Sequence, residues 1–304
     1  MDTIEDRQLA ELRPLAFGIA YRMLGSVAEA EDVAQESLLR LHDARKEVAS
    51  PRAFLTTVAT RLAIDRLRSA RVRREHYAGE WLPEPLVADT SADPAEQAEL
   101  ADSLSLAFVA LLERLSPDQR AVLLLRDVFH YGYGEIAAII GKTEANARQL
   151  AVRARRHVEA DRPRFEASRE RREELAQRFF AAAEDGDLEG LEALLASDVA
   201  LHGDGGGKVP ALARALHGRA RVARTLMAWS RQGRRLGGIS MRRVDVNGQP
   251  GALMLDPEGA VIGVMALDIA EGRVQAIRSI VNPDKLGHVG TVADMRALIR
   301  RPRP

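Results

Sequence analysis

Apolar residues recur every three to four positions along the first half of the chain, the spacing that predicts helices. Over residues 7–24, Leu9, Leu12, Leu15, Ala16, Ile19, Ala20 and Met23 share one face, and Gly25 follows as a stop. Ser26 can cap a second helix, Ala28 to His42, which turns Ala30, Val33, Ala34, Leu38 and Leu41 inward. Pro51 suits the first turn of a third helix, running to Arg74, with Leu55, Ala59, Leu62, Ala63 and Leu67 inside. The period is lost over residues 75–103, where three prolines, acids and small polar residues read as a linker. It returns from Ser103 to Leu115, and Ser116-Pro117 opens a helix that turns Ala121, Val122, Leu124, Leu125, Val128 and Phe129 inward.

Tyr133 to Val158 carries the sharpest local pattern. A short apolar helix containing Ile136, Ala137, Ile139 and Ile140 runs into Gly141, and Thr143 is placed to cap a second helix with Glu144 in its first turn. Ala147, Leu150, Ala151, Ala154 and Val158 form a narrow stripe on this helix, and the alanines permit close packing. Its other face presents Arg148, Gln149, Arg153 and Arg156, with Asn146 and Val152 near the leading end. Two short helices about a tight turn, the second basic, predict a helix-turn-helix whose side chains can reach base edges in a major groove. An ordinary solvated helix hairpin is the plainer alternative.

Beyond Arg164 the character changes. Glu166 to Asp185 and Leu188 to Ala196 read as amphipathic helices, Val199 to His202 as a strand, and Gly218 to Arg231 as a further helix. From Gly238 the period becomes two, broken at Asn247-Gly248, Asp256-Pro257-Glu258-Gly259 and Glu271-Gly272. This predicts strands at about 238–246, 251–256, 260–269 and 273–281. Helices leading into an antiparallel meander make an α+β domain. The expected organisation is multidomain: helical domains at 1–75 and 104–164, a linker at 76–103 and an α+β domain at 165–304.

Charge changes the picture more than composition does. The formal net charge of zero speaks against a nucleic-acid binder, but the charge is segregated. Arg52 to Arg74 holds seven arginines and one acid, and Lys142 to Arg164 holds seven basic residues and three acids. Between them, Glu75 to Glu113 has nine acids and no Lys or Arg. Local fields steer phosphate binding, and two basic blocks provide them. Arg71, Arg73 and Arg74 extend the basic end of the third helix, fit either for phosphates or for complementing the helix dipole. Glu29, Asp32 and Glu36 line one stripe of the second helix, either solvated or facing a basic partner. No cysteine is present, which excludes disulfides and thiolate metal or redox sites. No run is long enough to span a membrane and the N-terminus lacks a signal-peptide core, so a soluble cytoplasmic protein is expected.

Within the linker, Trp81-Leu82-Pro83-Glu84-Pro85-Leu86 has more apolar surface than a tether needs. It either docks on a partner domain or caps a local core.

Three segments, AEAEDVAQESLLRLH at 28–42, PRAFLTTVATRLAIDRLRS at 51–69 and the helix-turn-helix, resemble the bacterial sigma-70 family of extracytoplasmic-function type over about residues 7–160. The resemblance implies that Glu29, Asp32, Gln35 and Glu36 meet the core RNA polymerase. It assigns Arg61, Asp65, Arg66, Arg68, Arg71, Arg73 and Arg74 to the −10 promoter element, and Thr143, Asn146, Arg148, Gln149, Val152, Arg153 and Arg156 to the −35 element. Where many relatives carry Arg-Asn, this chain has Thr60-Arg61. The C-terminal domain resembles the SnoaL-like, nuclear-transport-factor-2-like cone. A subgroup of these sigma factors carries that extension together with WLPEPL, DGGGK and NPDKL, which stand here at 81–86, 204–208 and 282–286. In that subgroup the extension is expected to act on the linker in place of a separate anti-sigma protein. This implicates Trp81, Leu82, Pro83, Glu84, Asp204, Lys208, Asn282, Asp284 and Lys285, with Glu84 able to pair with Lys208 or Lys285.

Other readings compete. His202, Asp204, His217 and Asp268 could supply acid–base chemistry, but no pair has a diagnostic spacing. Gly203 to Lys208 fails as a phosphate loop, since His202 and Val209 occupy positions that need Gly and Ser or Thr. No cofactor or metal is expected. A small ligand in the C-terminal domain could move the clamp. The alternative overall is a ligand-sensing helix-turn-helix repressor, which would need neither the acidic helix nor a second basic one.

Overall fold

The computed structural model describes residues 4–44, 48–74, 77–88, 103–158, 168–235 and 237–300. The chain divides into two compact units, one from residues 1–76 and 108–162 and the other from residues 77–107 and 163–304. The two expected helical domains therefore share one unit, and the described linker residues belong with the C-terminal domain.

The helical unit contains α1 (Ile4–Leu24), α2 (Val27–Ala44) and α3 (Pro51–Arg74), and the division between units falls within α4 (Leu106–Leu112). It continues with α5 (Pro117–Asp127), α6 (Tyr133–Ile140) and α7 (Glu144–Val158). Gly25 ends α1 at φ +65°, donating its N–H to the Tyr21 carbonyl at 2.7 Å. Most of the inward stripe positions are buried as their spacing requires, while Leu9, Leu12, Leu15, Leu38, Leu62, Ile140 and Leu150 are only half-buried at the margins. A capping box between Ser116 and Gln119 opens α5. That helix stops at Asp127, so Val128 and Phe129 lie beyond it and are half-buried. Arg120, 2% exposed, runs through the core to the carbonyl of Met23 at 2.5 Å, near the C-terminus of α1 where helix carbonyls lack partners.

The second unit is the expected α+β domain. Helices α8 (Arg169–Asp185), α9 (Leu188–Leu194) and α10 (Arg219–Arg235) accompany a seven-stranded sheet, followed by α11 (Met295–Arg300). Its strands are β1 (Val87–Ala88), β2 (Leu195–Asp204), β3 (Leu216–His217), β4 (Ser240–Val246), β5 (Gln249–Leu255), β6 (Val261–Ala270) and β7 (Arg273–Ile280). Their order is β1-β4-β5-β6-β7-β2-β3, antiparallel except for the β2–β7 pair. The hairpin turns fall where expected: Asn247 and Gly248, and Glu271 and Gly272, all take positive φ. Two expectations are corrected. The helix from Leu188 ends at Leu194, and the strand starts there instead of at Val199, because Leu195 and Ala196 are buried in the sheet core. The linker also contributes an edge strand, β1, paired with β4.

Alternation along the strands divides the sheet into two faces. Met265, Leu267 and Ile277 pack under Phe179, Phe180 and Leu226 of the helices. Val264, Ala266 and Ile280 face the other way, into a second core completed by Leu82 and Leu106.

Candidate functional site

A dense cluster of polar and charged groups lies where the linker meets that second face. Asp204, at the end of β2, is fully buried. Its carboxylate accepts hydrogen bonds from the Tyr77 hydroxyl at 2.5 Å, the Gly206 N–H at 3.0 Å, the Leu82 N–H at 2.8 Å and the Lys285 ammonium at 2.7 Å. Lys285 also donates to the Leu82 carbonyl, and its Nζ sits 4.4 Å from the Trp81 ring centroid and 4.9 Å from that of Tyr77. A buried ion pair is tolerated only with its remaining valences filled, and here linker atoms fill them. Burial, and then the bond to Asp204, push the Tyr77 phenol well above its ordinary range.

The two motifs around this pair have local reasons for their composition. Gly206, at φ +60°, leaves no room for a β-carbon, which would meet the Asn282 side chain at 2.3 Å. Gly207, at φ +69°, faces Ala78 of the linker in the same way, at 2.7 Å. Asn282 caps the short 3₁₀ turn Pro283–Lys285 and donates to the Tyr77 hydroxyl at 2.9 Å. Lys208 pairs at the surface with Asp284 at 2.6 Å. Lys208 thus pairs with Asp284, and Lys285 with Asp204 and the Leu82 carbonyl.

Four linker contacts had no signal in the sequence. Glu80 meets His202 at 2.7 Å, the His288 ring nitrogen meets the Pro85 carbonyl at 2.8 Å, and Asn247 exchanges two bonds with Leu86, each 2.8 Å. Asn247 also donates to the Leu104 carbonyl at 2.8 Å. Asn247 looked like a turn residue alone, and only its side chain's reach across the sheet edge reveals the second role.

The candidate acid–base residues are each otherwise placed. Asp204 holds Lys285, His202 holds Glu80, and Asp268 pairs with Arg278, whose guanidinium burial brings down to about 10. His217 is exposed on β3.

In the helical unit, α7 carries Asn146, Arg148, Gln149, Val152, Arg153 and Arg156 exposed on one side while Ala147, Ala151 and Ala154 are buried on the other. Val152, 47% exposed, is a large apolar residue in a basic field. The Thr143 hydroxyl caps the helix by accepting the Asn146 N–H at 3.2 Å, and Gly141 makes the turn at φ +67°. Arg148 bonds Glu144 and lies over the Tyr133 ring at 4.8 Å.

On α2, Asp32 and Gln35 are exposed and Glu29 and Glu36 partly so. Asp32 meets Arg66 at 3.2 Å and Glu36 meets Arg40 at 2.8 Å, both near the surface where such pairs contribute little. On α3, Arg68 reaches Asp65 and Asp118, each at 3.3 Å, and Lys142 meets Asp118 at 3.1 Å. Arg61 donates to the carbonyls of Ile139 and Ala138 at 2.8 and 2.9 Å, so the expected base-reading arginine serves here as a cap on α6. The side chains of Arg71, Arg73 and Arg74 lie outside the described residues.

The Sigma-70 region 2 family matches residues 9–73, and the Sigma-70, region 4 family matches residues 105–158. Over 291 residues the chain is 39% identical to the ECF RNA polymerase sigma factor SigJ of Mycobacterium tuberculosis, covering 93% of each protein. It is 32% identical over 277 residues to that organism's probable ECF RNA polymerase sigma factor SigI, covering 88% of this chain and 90% of the relative. The crystal structure of M. tuberculosis SigJ matches with a TM-score of 0.75 at 35% identity, over 92% of this chain and 98% of that one.

Proposed function

This chain belongs to the extracytoplasmic-function sigma-70 family of RNA polymerase sigma factors, and on that premise we propose that its C-terminal domain governs initiation in cis by gripping the linker. The observation that carries the proposal is the Asp204–Lys285 pair, buried and completed by Tyr77, Trp81 and the Leu82 backbone. A grip on residues 77–88 limits how far the two promoter-binding regions can separate, and so whether both elements can be engaged together. Glu29, Asp32, Gln35 and Glu36 face the polymerase core, and the exposed side of α7 reads the −35 element. Arg61, Asp65, Arg66 and Arg68, with Arg71, Arg73 and Arg74, address the −10 element. In the resting protein Arg61 is occupied by α6, so engaging the −10 element requires giving up that cap. The engagement of His202, Asp204 and Asp268 with structural partners supports a regulatory domain over a catalytic one. A subunit acting on chromosomal promoters works in the cytoplasm, and among the described residues no helix is long and apolar enough to cross a membrane.

Run-off transcription with core polymerase and a promoter selected by the holoenzyme tests this. Lys285→Met and Trp81→Ala should each change promoter output several-fold relative to the unaltered chain. Unchanged output from both, with binding to core intact, would remove the cis-regulatory reading. Charge reversal at Asp32 and Glu36 should instead abolish core binding.

A further inference from the structure

A cavity of about 330 Å³ lies within the C-terminal unit, between α8, α10 and the helix-covered face of the sheet. Its walls include Phe179, Phe180, Trp229, Met241, Met254 and Met265. At its floor is Ser279, 4% exposed, whose side-chain hydroxyl, unlike its paired backbone, has no hydrogen-bond partner among the described residues. We propose that this cavity binds a neutral, flat, largely apolar molecule bearing one hydroxyl or carbonyl group, and that the linker on the opposite face responds to its occupancy. The second half of this proposal rests on the cis-regulatory reading above.

The ligand class follows from the lining. The volume lies at the lower end of the range that takes small organic molecules, roughly 300–1,000 Å³. Three aromatic rings favour a flat partner, and four flexible, polarizable methionines, Met241, Met254, Met265 and Met295, adapt to its outline. The charged members of the lining, Glu184 and Arg234, are exposed. Arg234 already donates to the Glu184 carbonyl and the Ser230 hydroxyl. A charge carried deep into the cavity would meet no counterion, which is costly. The Ser279 hydroxyl is the polar group left to satisfy, and a hydroxyl or carbonyl does so.

The response follows from strand register. Ser279 of β7 stands between its register partners Met265 of β6 and Gly203 of β2, and all three line the cavity. The adjoining row, Val264, Ile280 and Asp204, points the other way: the first two pack with Leu82, and Asp204 accepts the Leu82 N–H. One residue step along three strands therefore separates the ligand floor from the linker grip. A tightly packed sheet transmits a shift of one row to the next.

The test uses the full chain and the neutral fluorophore N-phenyl-1-naphthylamine. Saturable binding at one probe per chain is expected, weakened at least about tenfold by Met265→Trp on β6 and by Ala183→Phe on α8, each read in protein that melts cooperatively. In the unaltered chain, the charged analogue anilinonaphthalene sulfonate should bind several-fold more weakly. Amide exchange of residues 77–88 should change by about threefold or more at probe saturation. Non-saturable binding, or binding indifferent to both substitutions, overturns the site, and equal or tighter binding of the sulfonate overturns the ligand class. Saturable binding with unchanged exchange overturns the coupling alone. The grip itself stands or falls separately, on the transcriptional response to Lys285→Met.

Discussion

The exposed side of α7 and the Asp204–Lys285 cluster use the same kinds of charged residue to opposite ends. On that side of α7 the arginines Arg148, Arg153 and Arg156 stand in water, pairs such as Arg148–Glu144 are half-exposed, and stability depends on the buried alanine stripe beneath. At Asp204 every partner is committed and water is excluded, so charge and structure cannot be separated. Charges in water are free to bind something else. Charges out of water hold one arrangement, and that arrangement includes the linker.

The largest expected effect breaks the buried side of this contrast. Asp204→Ala strands the Lys285 ammonium and should lower the unfolding free energy of the C-terminal unit by about 3–5 kcal/mol, read by denaturant titration. Replacing both charges by apolar residues should be much milder than replacing one. A loss below about 1 kcal/mol for the single change would show that the pair is not out of water.

Arg61→Ala is intermediate. It removes two bonds to α6 carbonyls and should lower stability of the helical unit by about 1 kcal/mol. Arg61→Lys, which cannot reproduce a forked donor, should recover only part.

The exposed face should give the smallest change in stability. Arg153→Ala or Arg156→Ala is expected to stay within about 0.5 kcal/mol of the unaltered chain. Each should nevertheless reduce the salt dependence of −35 DNA binding by about one unit of slope, whatever the sequence. Val152→Ala should instead weaken discrimination at one base position, as expected where an apolar side chain meets a thymine methyl.

The contrast also has a pH signature. The Tyr77 phenol is raised on docking, so its contribution is complete below the ordinary tyrosine value of about 10 and is lost as pH climbs through the raised one. Ultraviolet titration should show a high-pH component that Tyr77→Phe removes. Docking should loosen on the alkaline side and be indifferent to pH between neutrality and about 9.

Much of this was legible in the chain because it is local. Gly141 and Thr143 mark the helix-turn-helix, Asn247-Gly248 and Glu271-Gly272 mark the hairpins, and periodicity marks the buried stripes. Segregated charge located both basic helices despite a neutral total. What escaped depends on residues far apart. A two-residue strand among prolines and acids, β1, has no period to detect and exists because β4 offers an edge. Leu195 and Ala196 continue an apolar run that suits helix or strand, and pairing with β7 decides it. Arg61 and Arg120 carry no local mark of the role they have, which is to cap α6 and α1 across 78 and 97 residues of sequence. Glu80 and His202 give no sign of each other until the linker is laid on the sheet.

The central claim is that linker and C-terminal domain form one grip that sets promoter output. A double-mutant cycle in run-off transcription tests it directly, using Trp81→Ala, Lys285→Met and the two combined. If both residues act through the same grip, the double variant should match the stronger single one. Effects that multiply would mean two independent routes to the polymerase, and would contradict the account.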